Sequence, residues 1–134
     1  MKKLITAVIT FFCILATTTT LATDDTTVFE LRIYTTHPGK MPNLLARFEN
    51  HTTKIFERHG MSNVGYWLPT DQKDDNKLYY ILKHKSRLAA EASWKAFGAD
   101  PEWKKVSSES EAKGPIVAGV ESIFLTATEF SAIK

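Results

Sequence analysis

Arg32 and Tyr34 stand two residues apart in the segment Val28-Phe-Glu-Leu-Arg-Ile-Tyr-Thr35, so in an extended chain they project from one side. A guanidinium beside a phenol can grip a carboxylate or an enolate, the first through a bidentate fork and the second through one donated hydrogen bond. The competing role for Arg32 is a structural ion pair with Glu30 or with a carboxylate of a second chain; for Tyr34 it is packing. Among the four histidines, His51 and His84 are candidates for a general base, because a neutral imidazole beside a cavity accepts a proton near neutral pH. His59 precedes Gly60 and has a simpler explanation as a favourable charge at a helix C-terminus. His37 lies in a turn and has no chemical reading. Tyr66, Trp67 and Tyr80 are candidates for an aromatic wall that would suit a flat apolar ligand. Trp94 and Trp103 fit a core between helices and sheet better than a site.

Other chemistries lack their residues. No pair of histidines stands at zincin spacing, and no glycine-rich loop of the dinucleotide or P-loop type is present, nor a nucleophile elbow. Neither a metal nor another cofactor is therefore expected. Haem is the one group that motif cannot address, since a single histidine suffices to bind it, with His51, His59 and His84 as candidates. The chain of 134 residues carries 17 basic and 15 acidic side chains. They alternate along the sequence, whereas a nucleic-acid binder would cluster its basic residues on one stripe.

The elements that must position these residues follow from hydrophobic period. Positions 28–35 alternate as a half-buried strand, with Phe29, Leu31 and Ile33 on one face and Glu30, Arg32 and Tyr34 on the other. The first set is expected under the helices and the second on the free face. After the turn His37-Pro-Gly-Lys40, Pro42 suits a first helical turn, and Met41, Leu44, Leu45, Phe48, Thr52, Ile55 and Phe56 recur at helical spacing up to Gly60. This predicts one helix of about five turns. Positions 64–68 and 78–82 read as strands joined by a polar turn over 70–77. Tyr66 and Trp67 must face opposite ways, as must Tyr79 and Tyr80. Ser86 and Asp100 are N-caps for two further helices, with Pro101 at the first position of the second. Gly114-Pro115 breaks that helix, and 120–128 reads as the last strand.

The N-terminal segment has another purpose. Lys2 and Lys3 precede an apolar run over 4–16, and Thr20-Leu21-Ala22 offers small residues before a cut. The run is shorter than the roughly 20 residues that span a bilayer. A cleavable export signal over 1–22 is expected, with a domain over 23–134 that is secreted or periplasmic and has no stable membrane insertion. Cleavage removes Lys2, Lys3 and the sole cysteine, Cys13, so the remaining domain is formally neutral and can form no disulfide. Asn50-His51-Thr52 fits a glycosylation sequon, which matters only in a eukaryotic secretory pathway.

Strand, helix, two strands, helix and strand make an α+β, ferredoxin-like βαββαβ domain, whose helices cover one face of an antiparallel sheet. A free face rich in large side chains calls for a partner, and a homodimer packed sheet to sheet is expected. Glu30-Leu-Arg-Ile-Tyr-Thr35 with Pro38-Gly39-Lys40, Gly65-Tyr66-Trp67, Ala99-Asp-Pro-Glu-Trp103 and Thr126-Ala-Thr-Glu-Phe-Ser131 together resemble the NIPSNAP family. The resemblance implies a ferredoxin-like fold that dimerises into an α/β barrel. It does not choose an activity, because the wider barrel superfamily holds cofactor-free monooxygenases, isomerases, haem enzymes and plain ligand-binding domains. The expected function is binding of a small aromatic or acidic molecule in the barrel cavity by Arg32, Tyr34, Tyr66, Trp67 and Tyr80. A cofactor-free monooxygenase or isomerase using His51 or His84, and a non-catalytic interaction module, are the alternatives.

Overall fold

The computed structural model describes residues 26–70 and 76–134. The segment 1–22 expected to be an export signal, with Cys13, and most of the polar turn after Thr70 lie outside the described residues. The elements run β1 (Val28–Thr36), α1 (Met41–Arg47), a π-helical turn (Phe48–Thr52), α2 (Thr53–Arg58), β2 (Ser62–Trp67), β3 (Lys77–His84), α3 (Arg87–Ala99), α4 (Pro101–Ser110) and β4 (Val117–Leu125). The strands form one sheet in the order β2-β3-β1-β4, and every neighbouring pair is antiparallel. That is the ferredoxin-like arrangement expected from the sequence. Among the described residues no helix is long and apolar enough to cross a membrane.

The caps behave as their chemistry demands. Ser86 Oγ accepts the Ala89 N–H at 3.1 Å, and Asp100 Oδ1 accepts the N–H groups of Glu102 at 2.8 Å and Trp103 at 3.3 Å. Gly60 leaves α2 with φ of 76°, a conformation that a side chain would strain. The expected single helix over 41–58 is interrupted by the π turn. Thr52 Oγ1 donates to the Arg47 carbonyl at 3.2 Å and Thr53 Oγ1 to the Phe48 carbonyl at 3.1 Å, each reaching back five residues. These hydroxyls satisfy carbonyls in a wider helical turn, which apolar periodicity does not register.

The last strand begins and ends earlier than the sequence suggests. It pairs with β1 from Thr36↔Val117 to Phe29↔Leu125, and 126–128 are not part of the ladder. The ladder, rather than the β-propensity of Thr126 and Thr128, sets the boundary.

The larger correction concerns the faces of β1. In the register, Glu30 stands opposite Leu82, Arg32 opposite Tyr80 and Tyr34 opposite Leu78. Those β3 residues are at most 1% exposed and lie under Leu44, Phe48, Ile55, Phe56 and Phe97. Directly opposed residues share a face, so Glu30, Arg32 and Tyr34 lie under the helices. Leu31 and Ile33 look out from the free face with Tyr79, Ile81, Ile123 and Leu125. Alternation separates two faces without saying which is covered. Here both are largely apolar, and the polar set is inside because its charges neutralise one another.

Candidate functional site

Tyr80 is the hub of the layer between helices and sheet. It is fully buried, stacks on Tyr66 with ring centroids 5.2 Å apart, and meets Tyr34 and Phe48 edge-on at 5.3 and 5.2 Å. Arg32 Nε donates to its hydroxyl at 3.0 Å. Burial, with Tyr34 adding to it, raises the Tyr80 pKa well above the usual phenol range, so this hydroxyl stays protonated. Tyr66 is shifted the same way, chiefly by burial; its hydroxyl donates to Asn63 Oδ1.

Arg32 continues the chain to a carboxylate. Its Nη1 donates to Glu30 Oε1 at 2.6 Å, and its guanidinium lies over the Trp94 ring, 4.1 Å from the centroid. Glu30 is only 1% exposed and accepts from three more groups: Ser122 Oγ at 2.6 Å, Trp94 Nε1 at 2.7 Å and His84 Nε2 at 3.0 Å. Burial pushes its pKa up, but donation from His84, Ser122, Trp94 and Arg32 outweighs burial and brings it down to about 2. A charge can be retained at this depth because four donors from β1, β3, β4 and α3 converge on it.

Four of the five residues proposed for ligand binding therefore meet: Arg32, Tyr34, Tyr66 and Tyr80. They meet beneath the helices, not on the free face of the sheet. Trp67 is the exception. It is half exposed on the free face, its indole folded over Gly65 so closely that a Cβ there would stand 2.5 Å from the ring. His84 joins the cluster but is sealed, with its Nδ1 buried and unpartnered. His51 is exposed on the π turn and opens on a separate groove beside α4, so the two catalytic candidates do not come together. His59 ends α2 and meets Asp100 Oδ2 at 2.6 Å, an oxygen that also accepts from Arg58 at 2.7 Å. That contact ties α2 to the cap of α4.

Sequence reasoning treated Glu30 only as an ion-pair partner of Arg32 and Trp94 only as core, and it passed over Ser122. A carboxylate two residues from an arginine in the middle of an apolar strand was the available signal. The ion pair proposed as the plain role of Arg32 is present, and it is part of the larger network. The aromatic stack reaches the surface at Tyr66, where an apolar depression of about 270 Å³ is lined by Leu45, Phe48, Glu49, Thr53, Tyr66 and Leu78. A flat ligand there would lie in the same layer as the Tyr66–Tyr80–Arg32 chain. Among the described residues, no group of three or more His, Cys, Asp or Glu is arranged to hold a metal ion.

Residues 29–132 match the sequence profile of the NIPSNAP family. No curated protein gives a significant sequence match. An uncharacterized NIPSNAP-like domain protein from Burkholderia xenovorans is similar in fold, with TM-score 0.69 and 20% identity over 80% of this chain and 90% of that one. A NIPSNAP family protein of unknown function from Agrobacterium tumefaciens gives TM-score 0.70 and 20% identity over 82% and 96%. SnoaB, a cofactor-independent oxygenase from Streptomyces nogalater, is more distant, with TM-score 0.52 and 18% identity over 81% and 98%. At these identities the likeness is one of fold.

Proposed function

The chain belongs to the NIPSNAP family, and from that premise we propose that it is an exported homodimer that binds a small, flat, aromatic molecule in the helix–sheet layer of each subunit. The observation that carries the reading is the convergence of Arg32, Tyr34, Tyr66 and Tyr80 beside an apolar depression. Tyr66 supplies a stacking surface at the depression, with Tyr80 stacked behind it and Arg32 hydrogen-bonded to the Tyr80 hydroxyl.

The second copy is placed on the free sheet face. Leu31, Ile33, Tyr79 and Ile81 lie there with Trp67, Ile123 and Leu125, the last three 51%, 46% and 41% exposed. An isologous interface presents one patch to itself, so any charge within it is best matched by an opposite one in the same patch. Lys83, opposite Phe29, and Glu121, opposite Ile33, provide one of each sign on this face.

One observation favours a second reading, oxidation without a cofactor. His84 is hydrogen-bonded to Glu30 and linked through it to Arg32, with no partner for its Nδ1 among the described residues, in a fold shared with a cofactor-independent oxygenase. Native mass spectrometry of protein recovered from its own exported compartment tests the principal reading. A dimer mass with a retained small aromatic compound is the expected result; a ligand-free monomer would refute it. Oxygen consumption on adding a hydroquinone would favour the oxidative reading over simple binding.

A further inference from the structure

We infer that the polar groove between α1, the π turn and α4 is a second binding site, for a small carboxylate bearing an adjacent hydroxyl or ammonium group. It holds about 320 Å³ and is lined by Asn43, Ala46, Arg47, Asn50, His51, Val106, Glu109 and Ser110. This is a different cavity from the depression at Tyr66, and it does not depend on the function proposed above.

Arg47 is the centre of the argument. Its side chain is only 4% exposed, and its Nη1 makes two long hydrogen bonds, to Glu111 Oε1 at 3.2 Å and Ser110 Oγ at 3.3 Å. Its Nε is buried without a partner, and Nη2 makes no hydrogen bond among the described residues. Nε and Nη2 form the side-on edge of the guanidinium, whose two parallel N–H groups match the two oxygens of a carboxylate. Arg47 lines the groove, and its Nε is a sealed donor with no acceptor among the described residues, which is costly to leave unmade.

The remaining walls define the rest of the ligand. Asn43, Asn50 and His51 offer both donors and acceptors, and Glu109 on α4 offers a carboxylate to an ammonium or hydroxyl. Glu111 already occupies Nη1 of Arg47 at 3.2 Å, which leaves the Nε–Nη2 edge for an incoming carboxylate, and Glu109 stands 3.9 Å from Lys105. The π turn contributes by geometry. The Thr52 hydroxyl satisfies the Arg47 carbonyl, and π turns of this kind recur at functional sites in helices.

Titration of ¹⁵N-labelled protein with lactate, glycine, acetate and inorganic phosphate, at constant ionic strength, tests this through the Arg47 Nε–H signal and the Asn43 and Asn50 side-chain amides. Lactate or glycine should shift these signals saturably with Kd of about 1 mM, and acetate about tenfold more weakly. Ala46 is exposed, so Ala46→Phe should fill the groove and abolish the lactate response without changing the melting temperature. Arg47→Lys keeps the charge but removes the fork, and should weaken binding at least about tenfold. If Arg47→Lys fails to fold, Ala46→Phe and Asn50→Ala still decide. Absence of a saturable shift at Arg47 with every carboxylate, phosphate binding as tightly as lactate, or unchanged lactate binding in Ala46→Phe would overturn the assignment.

Discussion

Glu30 carries the electrostatics of the interior. It brings a negative charge to a place that is 1% exposed, and four donors keep it there. Replacing it by Gln removes the charge that offsets Arg32 while leaving the guanidinium in place. Loss of one partner of a buried pair costs about 3–5 kcal/mol, and Glu30→Gln should destabilise by the lower end of that range because the amide keeps some hydrogen bonds. Urea unfolding at neutral pH measures it. The same residue sets an acid limit. Its folded pKa of about 2 lies below the ordinary value of 4.5, so its contribution is fully present above about pH 4.5 and is lost as pH falls toward 2. The urea midpoint of the native protein should drop across that window. In Glu30→Gln that component of the drop should vanish, and an unchanged acid profile would show that Glu30 is not its source.

At the scale of elements, the N-caps hold the second half of the chain in place. Ser86 is buried and accepts from Ala89 N–H, which starts α3 in the register that sets Trp94 against Glu30. Ser86→Ala should cost about 1 kcal/mol, read as a lowered urea midpoint. It should also weaken the Trp94 contact, visible as a shift in the Trp94 indole N–H resonance. Asp100 works across elements, since it caps α4 while receiving Arg58 and His59 from the end of α2. The Arg58 and His59 hydrogen bonds to Asp100 hold its pKa far below the usual carboxylate range. The cap is consequently charged at neutral pH and well into the acid range.

At the scale of the whole molecule, the proposed homodimer rests on the free sheet face. Ile123 lies on that face in the edge strand β4, opposite Leu31, and is 46% exposed. Ile123→Asp should halve the mass found by multi-angle light scattering while leaving the monomer folded, because the residue makes no part of the core beneath the helices. A native protein that scatters as a monomer at micromolar concentration would remove the dimer instead. Export is tested separately: N-terminal sequencing of the secreted or periplasmic protein should begin at Thr23.

The sequence by itself determined the order of elements, the caps at Ser86 and Asp100, the glycine exit at Gly60 and the family, because each rests on local chemistry or on motifs in chain order. It also singled out Arg32, Tyr34, Tyr66, Trp67 and Tyr80 as a group, of which Trp67 lies on the opposite face of the sheet. Only the tertiary structure decided that the other four lie beneath the helices. A period of two has no sign, and the covered side of β1 is chosen by which β3 residues stand opposite it and by the four donors that make Glu30 tolerable inside. Likewise, the pairing of Arg47 with Glu111 and the π turn at 48–52 depend on α4 packing against α1. Side-chain hydroxyls and a contact 64 residues away leave no trace in hydrophobic spacing.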